Sequence, residues 1–159
     1  MTGTHCLLMR RELIAPQVAP QWPAGITVQH YTPEQAQAVH QLLQLAYLDG
    51  GGQIPTLERW LKAFETDAEY DPELCLLVRD AAGLVGVAQC WTSAYIKDLV
   101  VHPRARGQGL GRALLQQALV MFAERREGFV DLRVLEDNLP ARRLYESVGL
   151  HVVRRELLP

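Results

Sequence analysis

Three glycines at alternate positions, Gly107, Gly109 and Gly111, follow the apolar run Leu99-Val100-Val101 and open a long amphipathic stretch. A chain that leaves a buried strand, passes Pro103 and enters a helix through such a turn can converge successive main-chain N–H groups, because glycine tolerates positive φ. The helix N-terminus adds partial positive charge at the same place. The segment predicts an anion site, with Arg104, Arg106 and Arg112 near enough to add charge-assisted bonds. Two common phosphate binders fail on spacing. A G-x-G-x-x-G fingerprint would need glycine at Arg112 or Leu114, and the Gly-Lys-Ser or Gly-Lys-Thr of a P-loop occurs nowhere. The plain alternative is a tight strand-to-helix turn that needs glycine only for packing.

The flanking segments alternate between strand and helix periods. A strand is predicted over Ile26 to Tyr31. Thr32-Pro33-Glu34-Gln35 then signals a helix start, and Ala36, Val39, Leu42, Leu43, Ala46 and Tyr47 share one face. The glycines at 50–52 end that helix, and a second carries Leu57, Trp60, Leu61 and Phe64 on a stripe. Three strands follow, Leu74 to Arg79, Leu84 to Trp91 and Tyr95 to His102. A long helix over about Gly109 to Glu127, a strand Phe129 to Leu135, a helix between an Asn138 cap and a Gly149 stop, and a strand His151 to Leu157 complete the chain. The order β-α-α-β-β-β-α-β-α-β predicts an α/β fold with a mixed central sheet flanked by helices. Residues 1–24, interrupted by Pro16, Pro20 and Pro23, are expected to form an irregular N-terminal arm ahead of a single domain over 25–159.

Composition limits the partners. The 159 residues suit one domain, and a net charge of -2 gives no bulk positive field for nucleic acid. Cys6, Cys75 and Cys90 are odd in number and widely spaced, which suggests neither a disulfide framework nor a metal site. The apolar piece Cys6-Leu7-Leu8-Met9 is too short for a signal-peptide core, and no stretch reaches the ~20 apolar residues of a membrane span. The expectation is a cytoplasmic protein, monomer or homodimer, with neither nucleic acid nor membrane as partner.

Arg106-Gly107-Gln108-Gly109-Leu110-Gly111, preceded by Asp98-Leu99-Val100-Val101-His102-Pro103, resembles the Arg/Gln-x-x-Gly-x-Gly/Ala signature and strand end of the GNAT superfamily of N-acetyltransferases. Asn138 to Leu150 resembles the family's second motif, Asn-x-x-Ala-x-x-x-Tyr-x-x-x-Gly-Phe/Leu. The resemblance covers residues from about 25 to the C-terminus. It implies the GNAT-type acyl-CoA N-acyltransferase fold and acetyl-CoA as acetyl-donor substrate, with no metal. It also implies a cofactor site in which Leu99, Val100 and Val101 run beside the pantetheine arm. Arg106, Gly107, Gln108, Gly109, Leu110, Gly111 and Arg112 would hold the pyrophosphate, and Asn138 would touch the amide portion or serve only as a cap.

An amine attacking a thioester needs an unprotonated nucleophile, donors for the oxyanion and a proton for the departing thiolate. The resemblance places Tyr145 as the acid that protonates the CoA sulfur. The base is open: one position where family members hold a carboxylate is Lys97, and another is Arg133. Asp98, acting directly or through water, is the candidate, with His102 or a water relay as alternatives. The acceptor amine, on a small molecule or a peptide N-terminus, is expected against Asp49, Gln53, Trp91 and Tyr95, with Trp60 in the core. The competing function is a non-catalytic CoA-binding or regulatory module of the same fold.

Overall fold

The computed structural model describes residues 4–48 and 53–158. Seven strands form one sheet: β1 (His5–Glu12), β2 (Thr27–His30), β3 (Cys75–Asp80), β4 (Gly83–Trp91), β5 (Tyr95–Val101), β6 (Phe129–Leu135) and β7 (His151–Leu157). Four helices accompany them: α1 (Ala36–Tyr47), α2 (Leu57–Thr66), α3 (Leu110–Glu124) and α4 (Leu139–Ser147). From β2 onward the element order is the expected one. The strand order across the sheet is β2-β3-β4-β5-β6-β1-β7.

The N-terminal segment corrects the sequence reading. Residues 5–12 are not part of an irregular arm: they form β1, antiparallel to both β6 and β7 and lying between them. Cys6, Leu7, Leu8 and Met9 are all buried. A strand covered on both faces needs no polar alternation, and four consecutive apolar residues satisfy that requirement. Between residues 13 and 26 the chain has no helix or strand.

Two cores sandwich the sheet. On one face Val39, Leu42, Leu43, Trp60 and Phe64 of α1 and α2 meet Cys75, Leu77, Val87 and Val100. On the other, Leu114, Leu115, Ala118 and Phe122 of α3 meet Leu76, Val78, Leu132 and Met9. At Gly86 a Cβ would stand 2.8 Å from Leu114 Cδ1, so this residue lets α3 lie close to β4.

Two irregularities shape the centre. β5 and β6 are parallel but pair only at Tyr95↔Asp131 and Ile96↔Leu132, and then part. The β4–β5 register shifts between Gln89↔Asp98 and Cys90↔Ile96, leaving Lys97 as the extra residue of a bulge. A bulge re-aims the side chains beyond it. Ile96 therefore packs in the α3 core, while Asp98, two residues on, turns to the face that carries Val100 and α1.

Candidate active site

At the end of β5 the His102 side chain accepts a hydrogen bond from the Arg104 N–H at 3.1 Å, capping a short 3₁₀ turn over Pro103–Ala105. Gly107 and Gly109 then take φ of 78° and 84°, a region side chains resist. A Cβ on either would meet nothing within 4 Å, so conformation rather than crowding demands glycine there. The first helical bond of α3 runs from Ala113 N–H to Gly109 C=O. The N–H groups of Leu110, Gly111 and Arg112 in the first turn consequently have no partner within the helix. They border a cavity of about 400 Å³ between Val101, the turn and Pro140, Ala141 and Leu144 of α4. This open row of donors fits a pyrophosphate.

The nearby arginines divide. Arg104 pairs with Asp80 at 2.6 Å and holds that carboxyl down at about 2, so its charge is already engaged. Arg106 Nε donates to the Val101 carbonyl at 3.3 Å, and Arg112 donates to Ser147 Oγ at 2.7 Å. Asn138 accepts from the Ala141 N–H at 3.3 Å and caps α4 while staying exposed.

The parting of β5 from β6 leaves a main-chain edge without a strand partner. His102 N–H donates to the Val85 carbonyl of β4, and groups alternate along a strand. Leu99 and Val101 therefore turn their N–H and C=O toward the split. Val100 turns its own to β4, away from the split, and buries its side chain against α1. Tyr145, like Leu99 and Val101, packs against the core on the α3 face, and burial pushes its phenol pKa up.

On the opposite face Tyr47 Oη donates a 2.6 Å hydrogen bond to Asp98 Oδ1. Asp98 is 9% exposed. Burial raises its pKa, while the Tyr47 bond and Lys97 act against the rise. The Tyr47 phenol is driven well above its ordinary range by burial, then by the charge and hydrogen bond of Asp98, with smaller contributions from Tyr145 and Tyr95. Asp98, Gln53, Trp91 and Lys97 line one cavity of about 340 Å³, and the buried Trp60 forms part of its wall. Tyr95 stacks on Trp91 at 5.3 Å and receives the Arg133 guanidinium at 5.4 Å from its ring centre, outside that cavity. Asp49 lies outside the described residues.

Two residues join the site that the sequence reading did not select. Tyr47 looked like the last apolar position of α1, and Gln89 was passed over within β4. The signal for Gln89 was present, as a carboxamide in the otherwise apolar run Val85 to Cys90. Among the described residues, no group of three His, Cys, Asp or Glu could hold a metal. Burial lifts the Cys75 thiol to about 12 and Cys90 well above its normal value, so neither supplies a thiolate nucleophile.

With the glycine turn and the split strand described, similarity to known proteins becomes decisive. The profile of the acetyltransferase (GNAT) family matches residues 36–150. The chain belongs to this family. Its relatives include a mycothiol acetyltransferase of Thermobispora bispora, 32% identical over 154 residues that make up 89% of this chain and 52% of the relative. A second, from Kineococcus radiotolerans, is 36% identical over 82% of this chain and 44% of its own. Among solved structures, the GCN5-related N-acetyltransferase from Sphaerobacter thermophilus superposes with a TM-score of 0.85 at 31% identity, covering 98% of this chain and 50% of that one. A tandem GNAT protein from the clavulanic acid biosynthesis pathway gives 0.73 at 20% identity over 99% of this chain and 53% of its own, a likeness of fold. This GNAT chain spans about half the length of the curated relatives it matches. No helix among its described residues is long and apolar enough to cross a membrane.

Proposed function

We propose that the chain is an N-acetyltransferase that moves the acetyl group of acetyl-CoA to a primary amine by direct attack in a ternary complex. The observation that carries this reading is the glycine turn with the helix N–H groups of Leu110, Gly111 and Arg112 left without helical partners, next to the edge of β5 that β6 leaves unpaired. Donors at a helix N-terminus suit the pyrophosphate. Leu99 and Val101 offer an amide-bearing arm the pairing that an added strand would make. Those contacts bring the thioester to the point where β5 and β6 part, between Tyr145 and the Tyr47–Asp98 pair. The acetyl-transferring names of the relatives support the donor half of the reaction.

The amine nitrogen attacks the thioester carbonyl, a C–N bond forms and the C–S bond breaks. Asp98, directly or through water, accepts the proton that the nitrogen loses. Tyr145 gives one to the departing sulfur, so the two transfers balance. A phenol whose pKa is raised by burial stays protonated at neutral pH and available to donate. Tyr145→Phe should lower kcat by about tenfold to a hundredfold, the low end for acid catalysis because a thiolate leaves readily, while acetyl-CoA affinity stays within a factor of two. Single-turnover kinetics separate the two effects. Unchanged chemistry in the variant would remove the acid role.

Asp98 must be ionised to accept a proton, so kcat/KM should fall as pH drops through its raised pKa. Tyr47 donates to the carboxylate and favours that charged form. Tyr47→Phe should shift the acid limb of the pH–rate profile to higher pH. An unmoved limb would show that Asp98 is not the titrating base.

The broader reaction is tested by calorimetric titration with acetyl-CoA, followed by an amine screen scored by release of CoA thiol. Binding without turnover of any amine would favour a CoA-binding module. Three buried free thiols suit a reducing cytoplasm, and the balance of charge speaks against nucleic acid, with a monomer or homodimer as the working unit.

A further inference from the structure

The cavity between α2 and the sheet contains a polar group that acetyl transfer, as derived so far, does not employ. Gln89 stands on β4 directly opposite Asp98 on β5, and only 1% of it is exposed. Its Oε1 is wholly buried with no hydrogen-bond partner. Its amide nitrogen likewise bonds to no described residue. A buried carboxamide left unsatisfied weakens a fold, and Val, Leu or Met would pack in its place without that penalty. Around it Ile54, Trp60, Phe64 and Trp91 make an apolar and aromatic wall, Asp98 contributes the adjacent carboxylate, and Gln53, Asp67 and Lys97 complete the lining.

We infer that this cavity is the acceptor pocket and that Gln89 determines its specificity, by hydrogen-bonding a neutral hydroxyl or amide on a small, apolar-bodied primary amine. The inference rests on the acetyl-transfer reading and extends it to the acceptor. Facing residues of an antiparallel pair have Cβ atoms about 4.5–5.5 Å apart, so the polar heads of Gln89 and Asp98 suit two groups only a few bonds from each other. An amino group with a hydroxyl or amide on the neighbouring carbon meets that spacing: a vicinal amino alcohol or an α-amino amide. A carboxamide both donates and accepts, as do hydroxyl and amide groups, so the pairing holds in either orientation of Gln89. The aromatic wall takes the rest of the molecule.

The test compares phenylalaninol and phenylalaninamide with 2-phenylethylamine, which has the same ring and amine but lacks the second polar group. Binding is measured by calorimetry in the presence of CoA, and turnover by thiol release. The full chain should favour the two bifunctional amines by about tenfold or more. In Gln89→Leu the preference should shrink to within about threefold, with acetyl-CoA binding unchanged and Tm raised by about 2–6 °C through loss of the unsatisfied group. Gln89→Met repeats the measurement in a side chain of similar length. A wild-type protein without the preference, or a preference that survives both substitutions, overturns the inference. Acetyl-CoA binding with none of the three amines overturns it too and leaves the donor site standing, whereas failure to bind acetyl-CoA removes the transfer reading itself.

Discussion

Gly109→Glu should abolish useful acetyl-CoA binding, raising Kd by about a hundredfold or more. Two effects add. The residue sits at φ 84°, where a side chain costs about 1–3 kcal/mol of strain, and its new carboxylate enters the space where a diphosphate meets the turn. A hundredfold in Kd corresponds to about 2.7 kcal/mol, within reach of those terms together. Gly109→Ala carries the strain without the charge and should lose less. Calorimetry on both variants, with circular dichroism to verify folding, separates geometry from electrostatics. Retention of wild-type affinity by the glutamate variant would put the pyrophosphate elsewhere.

The second large effect concerns the sheet itself. Met9 is 0% exposed at the middle of β1, against Leu132 on one side and Val152 on the other. An aspartate there buries a charge with no partner, at several kcal/mol, against a total stability of about 5–15 kcal/mol for a domain. Met9→Asp should leave the chain largely unfolded at room temperature. Ile14→Asp, five residues later but 91% exposed, should be neutral within about 0.5 kcal/mol. Urea titrations of the two variants make the comparison. Equal midpoints would return the N-terminal segment to the status of a dispensable arm.

What could be read from residues alone depended on how locally each feature is encoded. β6 and β7 match their expected bounds of Phe129 to Leu135 and His151 to Leu157, and Asn138 caps α4 as expected. The glycine turn was legible because positive φ is a property of single residues. β1 was missed because a strand buried on both faces loses its alternation, and a short run of four apolar residues looks the same in a strand, a helix or a leader. The direction of Asp98 was hidden for another reason. Simple alternation puts it on the face of Ile96, and only the bulge at Lys97, set by pairing with a different strand, sends it across the sheet to Tyr47. Gln89 was visible as an oddity, but its lack of partners emerges only when everything near it is placed.

The position of β1 has a consequence for how the chain is made. It is synthesised before both of its neighbours, β6 and β7, which come from the last third of the sequence. At translation speeds of about 5–20 residues per second, its apolar residues wait many seconds for the strands that will enclose them. The half of the sheet from β2 to β5 can assemble meanwhile, and the nascent protein passes through a stage in which a sticky, unpaired ribbon needs protection from neighbouring chains.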